Sequence, residues 1–359
     1  MNKTRGRIDI LGVRLDTPRR AALRGLVSSA LDSTEKTSFS KINTEFLLRA
    51  HSETLFLQTI NVSFCNIVDG RGVQWAARYL SLPTPATHYK LLTTISALWQ
   101  MVYSGAAIVF NPGYITLPIP EVFPGVEAFE LMLGVAEEKQ VGVFIFGATQ
   151  EVLDKAIVNI HGKFPRLKIS GSLNGFDYQN ATVIPALNLS SAQAPAGIQK
   201  ENADSLDSRF RGNDNGNRDN IGDGDEQGRR KDQGGHADST PGGIDPVEEI
   251  NKTDAKLLFV ALGSPKQEYW IQENLERLKN VRVAVGEGGT LDRVANPAQK
   301  APKWINSAGL EWLWRLCFNK SKTETRNRFQ RFWNSVPVFI YEVVKWKIKH
   351  GSTSVDGSE

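Results

Sequence analysis

The sequence predicts an α/β fold in which a Rossmann-like parallel sheet carries helices on both faces. Two apolar segments that end in small residues, VGVFIFGA (141–148) and AKLLFVALGS (255–264), are each followed at once by a helical pattern. A third segment, VRVAVGEGG (281–289), runs into glycines. Strands that are apolar throughout need cover on both faces, and helices between successive strands provide it. Because ligands of such sheets bind at the carboxyl ends of the strands, we expect the loops after these three segments to share one rim.

The other elements follow from apolar spacing along the chain. RIDILGV (7–13) alternates as a short strand, and KINTEFLLRAHS (41–52) has the spacing of a helix. QEVLDKAIVNIHGKF (150–164) is the helix after the first buried strand, and LKISGSL (167–173) is the next strand. SPKQEYWIQENLERL (264–278) is a helix with proline near its start.

The composition is that of a globular chain. Its 359 residues are 40% hydrophobic and 23% charged, which excludes wholesale disorder. Cys65 and Cys317 are far apart and the five histidines are scattered, so neither a disulfide framework nor a Cys- or His-rich metal site is predicted. The start, MNKTRGRIDILGVRLDT, carries charges throughout and has no apolar core, so we expect no secretory signal and a cytoplasmic protein.

Residues 190–246 differ in character from the rest. They are rich in Gly, Asn and Asp and contain one aromatic residue, Phe210. Such a segment buries too little apolar surface to offset the entropy of ordering it, so we interpret it as a disordered insert. The predicted organisation is an α/β domain formed by residues 1–189 and 247–310, a helical appendage over 311–350 and a disordered tail over 351–359.

The C-terminal segment is basic and aromatic. Residues 200–250 have a net charge of −6, whereas residues 300–349 have a net charge of +8 and contain five of the eight tryptophans. Basic and aromatic residues together on amphipathic helices suit a bilayer interface with anionic lipid. They also suit single-stranded nucleic acid, whose bases stack on such rings. An ordinary packed helix with a solvated face is the third interpretation.

Residues 91–120 contain no charged side chain, and this uncharged stretch is long enough to span a bilayer. The segment also includes Thr, Ser, Gln, Gly and Pro and is only moderately apolar. We interpret it as an insertion that forms a buried core segment. An interfacial or re-entrant hairpin and, less favoured, a membrane-spanning helix are the alternatives.

GSPKQEYW (263–270) is the sharpest local motif. It places Lys266, Gln267 and Glu268 in the first turn of a helix, where free backbone N–H groups and the positive end of the helix dipole suit a phosphate. On the local pattern alone, an ordinary helix start with Ser264 as N-cap and proline at N1 is favoured.

Two further motifs follow apolar strands. VDGRGV places Asp69 at a strand end beside glycines, where a carboxylate can act as a general base or simply form a turn. GEGGTLD (286–292) lets backbone approach a diphosphate closely, although it is not a complete dinucleotide fingerprint, which disfavours an NAD-linked oxidoreductase. The Asp-x-Asp pair at Asp223 and Asp225 lies in the predicted insert, and we take it as chance.

Taken together, the segments resemble the WecG/TagA/CpsF family of bacterial glycosyltransferases. The resemblance covers most of residues 8–190 and 250–335. Its segments, in chain order, are INTEFLLRA, VDGRGVQWAARYL, FPGVEAFELM, VFIFGA, KFPRLKISGSLNGF, FVALGSPKQEYWI, VGEGGTLD, APKW and GLEWLWRL.

The resemblance implies an inverting transferase that works without metal or cofactor. Such enzymes move a sugar, commonly N-acetylmannosamine or its uronate, from a UDP-sugar to a polyprenyl-diphosphate-linked sugar at the inner face of the membrane. A C-terminal appendage meets the membrane and closes the site. The implied partners are therefore the UDP-sugar, the lipid-linked acceptor and an anionic membrane surface, with no nucleic acid. The resemblance does not decide whether the protein forms a homo-oligomer.

The resemblance also implies roles for individual residues. Asp69 matches the general base, while Asn43 and Gln267 match polar residues that hold donor or acceptor and complete the catalytic set. The positions that would contact substrate are Gly147, Phe176, Gly263, Glu268, Gly288, Asp292, Arg315, Arg326, Arg328 and Arg331. Among these, Phe176 and Asp292 would hold the uridine, and the arginines would stabilise a diphosphate.

Three positions depart from the family pattern. Lys41 stands where threonine is usual, Val122 stands near a usual arginine, and Lys300 replaces the arginine of a usual Arg-Ala-Pro. The departures at Lys41 and Val122 motivate a second hypothesis, in which the protein binds nucleotide sugar or lipid-linked glycan without turnover.

Overall fold

In a computed structural model that describes residues 6–85, 90–175, 245–297 and 322–352, eight strands form a single sheet. The strands are β1 (Arg7–Ile10), β2 (Val13–Asp16), β3 (Thr37–Ile42), β4 (Cys65–Val68), β5 (Gly142–Gly147), β6 (Ile169–Leu173), β7 (Ala255–Ala261) and β8 (Val283–Gly286). Their spatial order is β1-β2-β4-β3-β8-β7-β5-β6. Neighbouring strands pair in parallel, except for the antiparallel pair β1 and β2.

Helices join the strands. The α-helices are α1 (Arg20–Asp32), α2 (Thr44–Ser52), α3 (Thr54–Asn61), α4 (Arg71–Ser81), α5 (Lys90–Phe110), α6 (Gly125–Lys139), α7 (Gln150–Lys163), α8 (Pro246–Asn251), α9 (Lys266–Asn274), α10 (Thr290–Ala295) and α11 (Lys322–His350). Short 3₁₀ turns follow α5 at Pro112–Thr116 and α9 at Leu275–Arg277.

The predicted parallel sheet with helices on both faces is confirmed. Along β5, Val143 and Ile145 are buried in one cluster with side chains of α1, α6 and α7. The alternate residues Phe144 and Phe146 are buried in a second cluster with α9, where the ring of Phe146 lies 4.9 Å from that of Trp270. Because successive side chains of a strand point to opposite faces, the two clusters lie on opposite sides of the sheet.

The prediction of a single strand over RIDILGV is wrong, because β1 ends at Ile10 and β2 begins at Val13. RIDILGV forms a tight hairpin of β1 and β2, because the chain turns at Leu11 and Gly12, both with positive φ. The side chain of Asp9 closes this turn by accepting a hydrogen bond from the N–H of Gly12 at 2.9 Å. Apolar alternation continues through the turn, so periodicity alone did not reveal the break.

Two predicted helix starts are also displaced. Lys41 and Ile42 belong to β3, and α2 begins at Thr44 with Asn43 as its N-cap. In the GSPKQEYW motif, α9 begins at Lys266 with Pro265 in the N-cap position and no side-chain cap, so the expected capping by Ser264 is wrong.

The interpretation of residues 91–120 as a buried core segment is wrong for most of α5. Only 11% of Leu91–Ile108 is buried, and this helix is long and apolar enough to cross a membrane by length and composition. One face nevertheless packs on α4. The hydroxyl of Tyr79 donates to the carbonyl of Ala97 at 3.1 Å, and the indole N–H of Trp75 donates to the hydroxyl of Ser104 at 3.0 Å.

The second half of α11 is part of the core. Phe339, Val343 and Val344 are buried in a cluster with the N-terminal strands and α4. Lys347 is also buried, and its ammonium donates to the carbonyls of Tyr79 and Leu82. This end of the expected appendage is therefore integrated with the sheet, and Lys347 is not a surface cation.

The predicted insert lies almost entirely outside the described residues. Its last two residues, Asp245 and Pro246, are structured, because the carboxylate of Asp245 caps α8 by accepting from the N–H of Val247 at 2.9 Å. Residues 298–321 and most of the tail over 351–359 also lie outside the described residues.

Candidate active site

Asn43 and Asp69 lie side by side at the carboxyl ends of β3 and β4. They follow Ile42 and Val68, which are paired in the sheet, and the N–H of Asp69 donates to the carbonyl of Ile42 at 2.9 Å. The Oδ1 of Asn43 accepts from the N–H of Phe46 at 3.0 Å, which fixes the side-chain amide at the rim. The structure thus brings two of the three predicted catalytic residues together.

A cleft of about 280 Å³ opens at the carboxyl ends of β5, β7 and β8. Its lining comes from the loops after these strands and the first turns of α7 and α10: Ala148, Thr149, Val152, Ala261, Leu262, Gly263, Gly288, Gly289 and Asp292. Three predicted substrate-binding residues, Gly263, Gly288 and Asp292, therefore line one cleft. Asp292 is exposed there.

The cleft and Asp69 belong to one rim. Three strand spacings separate β4 from β7 in the sheet order, which corresponds to about 14 Å. That span is long enough for an extended substrate. The expectation that the loops after β5, β7 and β8 share one rim is confirmed.

Gly147 supports the floor of the cleft through backbone packing. It has a φ of 113°, and a Cβ placed on it would lie 2.5 Å from the carbonyl of Ala261. The next residue, Ala148, donates its N–H to that carbonyl at 3.0 Å and accepts from the N–H of Gly175 at 3.0 Å. The close approach expected at Gly147 is thus made by neighbouring backbone.

Gln267 connects the start of α9 to the glycine loop after β8. Its Oε1 accepts from the N–H of Gly288 at 2.8 Å, and its Nε2 donates to the Oε1 of Glu268 at 2.6 Å. The side chain is buried. In this arrangement Gln267 holds a cleft-lining glycine in place.

Glu268 faces the interior. It borders a small polar cavity of about 10 Å³, room for about one water, between β3 and α9, together with the hydroxyl-bearing Ser40, Thr59 and Ser63. Its Oε2 has no hydrogen-bond partner among the described residues. Burial raises the pKa of Glu268 to about 7. The structure therefore does not place this predicted substrate-binding residue in the cleft.

The departure at Lys41 has a local partner. Lys41 is buried, and its ammonium pairs with the buried carboxylate of Glu287, which follows the adjacent strand β8. The ammonium also donates to the hydroxyl of Thr290 at 3.2 Å and to the carbonyl of Gly125 at 3.3 Å. Burial raises the pKa of Glu287, and the charge of Lys41 opposes that effect.

The sequence reasoning missed this cluster and a nearby cation. Arg293 in α10 lies against Gly125, at the start of α6, where a side chain on the glycine would collide with its guanidinium. Its Nη2 is 3.4 Å from the hydroxyl of Thr290. The signal available in the sequence was the acidic residue in GEGGTLD, which could have been matched with Lys41 once β3 and β8 were known to be neighbours.

Several predicted contacts cannot be placed with the others. Three of these residues lie outside the described residues: Phe176, Arg315 and Lys300. The backbone of α11 carries three more, Arg326, Arg328 and Arg331, at positions whose side chains are not described.

The departure at Val122 is accommodated by packing, because this side chain is partly buried against the N-terminal core cluster. Within the described ranges, no three His, Cys, Asp or Glu side chains are grouped so that they could hold a metal ion.

Comparison with known proteins matches most of the chain to one protein family. Residues 8–104, 86–194 and 235–353 match the model of the glycosyl transferase WecG/TagA/CpsF family. The first two matches overlap at the start of α5, and the gap after residue 194 lies within the predicted insert.

Curated relatives carry one activity name. The N-acetylglucosaminyldiphosphoundecaprenol N-acetyl-beta-D-mannosaminyltransferase of Bacillus subtilis (strain 168) is 23% identical over 195 residues, which is 54% of this chain and 51% of that protein. The protein of the same name from Staphylococcus aureus (strain NCTC 8325 / PS 47) is 21% identical over 263 residues, 73% of this chain and 76% of that protein. The chain thus spans about half the length of the Bacillus relative that it matches.

Proposed function

Because the chain belongs to the WecG/TagA/CpsF family of glycosyltransferases, we propose that it transfers N-acetylmannosamine or a related sugar from a UDP-sugar. The acceptor is a sugar linked to polyprenyl diphosphate, in the synthesis of a cell-surface polysaccharide or a teichoic-acid-type glycan. The names of the relatives support this acceptor class, since they specify N-acetylglucosamine on diphosphoundecaprenol. We place the enzyme at the inner face of the plasma membrane as a peripheral protein.

One observation carries the proposal: Asp69 lies beside Asn43 at the same rim as the glycine-lined cleft. The cleft supplies backbone and Asp292 for the nucleotide, and Asp69 lies about 14 Å along the rim from the end of β7, where the reacting sugar would extend. The half-buried carboxylate of Asp69 follows β4 directly and precedes a glycine with a φ of 108°. The backbone of Asp69 is thus held at the strand end, because its N–H donates to the carbonyl of Ile42.

In the proposed reaction, the carboxylate of Asp69 removes the proton from the acceptor hydroxyl. The resulting oxygen nucleophile forms a bond to the anomeric carbon while the bond from that carbon to UDP breaks, which inverts the anomeric centre. UDP leaves with the bonding electron pair. Arginine side chains of the C-terminal segment and backbone N–H groups of the cleft would stabilise its charge, so no metal is needed.

The test is UDP release by the purified full chain with a panel of UDP-sugars, with and without short-chain N-acetylglucosamine diphospholipid. We expect release with one donor that depends on the acceptor. Asp69→Ala should lower turnover by roughly a hundredfold to ten-thousandfold, because removal of a general base has an effect of this size.

Asp32→Asn is the matched control. Asp32 ends α1 shortly before the amino end of β3, whereas the candidate site lies at the carboxyl ends of the strands. Its carboxylate pairs with Lys139 on the surface. Its loss should leave turnover unchanged. Full turnover by a folded Asp69→Ala protein would contradict the assignment of the general base.

The competing hypothesis of a binding protein without turnover receives no support at the two departures described. Lys41 is matched by Glu287, and Val122 is accommodated by apolar packing. UDP-sugar binding without transfer to any lipid acceptor in the panel would favour that hypothesis over the transferase.

A further inference from the structure

Helix α5 turns an uncharged apolar face to the solvent. Seven large side chains on this face are between 46% and 71% exposed: Leu91, Leu92, Ile95, Leu98, Trp99, Val102 and Tyr103. Each residue advances about 100° around a helix axis, so the seven fall within one continuous arc of about 140°. We call this set the α5 apolar face.

The opposite side of α5 is held in place. Ala97 and Ser104 are fully buried against α4, and Met101 and Ile108 pack on the N-terminal core cluster. A helix on the surface of a soluble protein normally buries its apolar side and exposes polar residues. Here the outward side is the more apolar one, and an exposed apolar area of this extent indicates a surface that a partner covers.

The adjacent helix α11 adds apolar residues and cations. It packs against α5, and its exposed side carries Val338, Tyr341 and Ile348 together with Lys345 and Lys349. Trp and Tyr side chains are typical of the bilayer interface, and lysines beside them attract anionic headgroups. The composition of these two helices therefore matches a phospholipid surface.

We propose that the α5 apolar face docks the protein on an anionic bilayer, with α5 lying in the plane of the headgroups. A crossing orientation would carry α4, which packs on α5 and includes Arg71 and Arg78, into hydrocarbon, where charged side chains are costly. A second copy of the chain is the other possible cover. A twofold contact, however, brings the same surface of two copies together, which would place the lysines of α11 near their own counterparts.

This inference is independent of the proposed transferase reaction. The α5 apolar face contains none of the residues of the cleft or of the pair Asn43 and Asp69. Loss of docking and loss of catalysis can therefore be measured separately, the second with a water-soluble acceptor analogue.

The experiment is sedimentation of the full chain with phosphatidylcholine vesicles that contain or lack phosphatidylglycerol. The variant Trp99→Ser/Val102→Ser should bind the anionic vesicles at least about tenfold more weakly, because two apolar side chains no longer enter the interface. Lys345→Gln/Lys349→Gln should weaken binding by roughly fivefold for each lysine on anionic vesicles only. Val158→Ser, at a valine of α7 that is 69% exposed, is the matched control and should bind as the wild type does.

Three results would overturn the proposal. The first is unchanged vesicle binding by a folded Trp99→Ser/Val102→Ser protein. The second is a wild-type dimer in light scattering that becomes monomeric in this variant, which would identify a second copy as the cover. The third is wild-type protein that stays with the vesicles after alkaline carbonate extraction, since this treatment releases interfacial proteins and leaves spanning ones. Far-UV circular dichroism and melting of each variant establish that it is folded.

Discussion

At the scale of single residues, the buried pair of Lys41 and Glu287 shows how an unusual residue can be compensated within one site. Lys41 extends from β3 and Glu287 follows β8, so the pair ties two neighbouring strands directly beneath the rim. Thr290 and the carbonyl of Gly125 satisfy the remaining ammonium hydrogens. The ammonium is compensated by its partner and by two further acceptors, whereas the Oε1 of Glu287 has no hydrogen-bond partner among the described residues.

Removing one partner of this pair should be more harmful than replacing both. Lys41→Met leaves Glu287 as an uncompensated buried charge, so we expect the free energy of unfolding to fall by about 3–5 kcal/mol. Lys41→Met/Glu287→Gln should recover a large part of that loss. Urea unfolding of the two single variants and the double variant measures the coupling. Additive losses would show that the two side chains do not interact.

Glu268 predicts a pH dependence of stability. Burial raises its pKa to about 7, against 4.5 for an ordinary glutamate. Between these values the folded protein holds a proton that the unfolded chain has released, so the free energy of unfolding falls as the pH rises from about 4.5 to 7. The accumulated loss is on the order of 3 kcal/mol.

Urea unfolding at several pH values tests this assignment. Glu268→Gln removes the titrating carboxylate. The free energy of unfolding of this variant, relative to that of the wild type, should therefore increase as the pH rises from about 4.5 to 7. Glu276→Gln, at an exposed surface glutamate, should follow the wild-type curve. A constant difference between Glu268→Gln and the wild type would show that Glu268 titrates normally.

At the scale of elements, the C-terminal helix α11 depends on its buried end. Burial lowers the pKa of Lys347 to about 8, and the carbonyls of Tyr79 and Leu82 accept from its ammonium at the end of α4. The ammonium also lies 4.4 Å from the ring centre of Tyr79. This one side chain therefore fastens α11 to the N-terminal part of the sheet domain.

Lys347→Ala should loosen this attachment. The change removes two charge-assisted hydrogen bonds and leaves a cavity, so we expect a loss of about 2–4 kcal/mol in the free energy of unfolding. Lys347→Met keeps the volume of the side chain and should cost less. Lys345→Ala, at an exposed lysine two residues away on the solvent side of the helix, should change stability by no more than about 0.5 kcal/mol. Equal effects at positions 345 and 347 would contradict the anchoring role.

At the scale of the whole molecule, the sheet order explains why distant motifs form one site. The chain builds β3 and β4 first, and β5, β7 and β8 later, yet β3 and β8 are neighbours. Asp69 and the GEGGTLD loop, more than two hundred residues apart in the sequence, therefore lie on one rim. The gap in the family match lies within the predicted insert between β6 and α8, and strands from both sides of the insert belong to a single sheet.

The sequence by itself determined the fold class and the rim at which the candidate site lies. Apolar strands followed by helices are local patterns, and the carboxyl ends of parallel strands necessarily meet at one edge. The glycines Gly263 and Gly288 could thus be predicted from loops at strand ends, and Asp69 from a carboxylate at such an end, whereas Asn43 and Asp292 were predicted from the family resemblance.

Only the tertiary structure decided which side chains are turned inward and which surfaces stay exposed. The burial of Glu268, the pairing of Lys41 with Glu287 and the anchoring by Lys347 each depend on contacts between segments far apart in the chain. The exposure of α5 has the same origin, since an apolar helix looks alike in sequence whether protein or lipid covers it. Burial is a property of the packed molecule, and no local pattern specifies the partner on the other side.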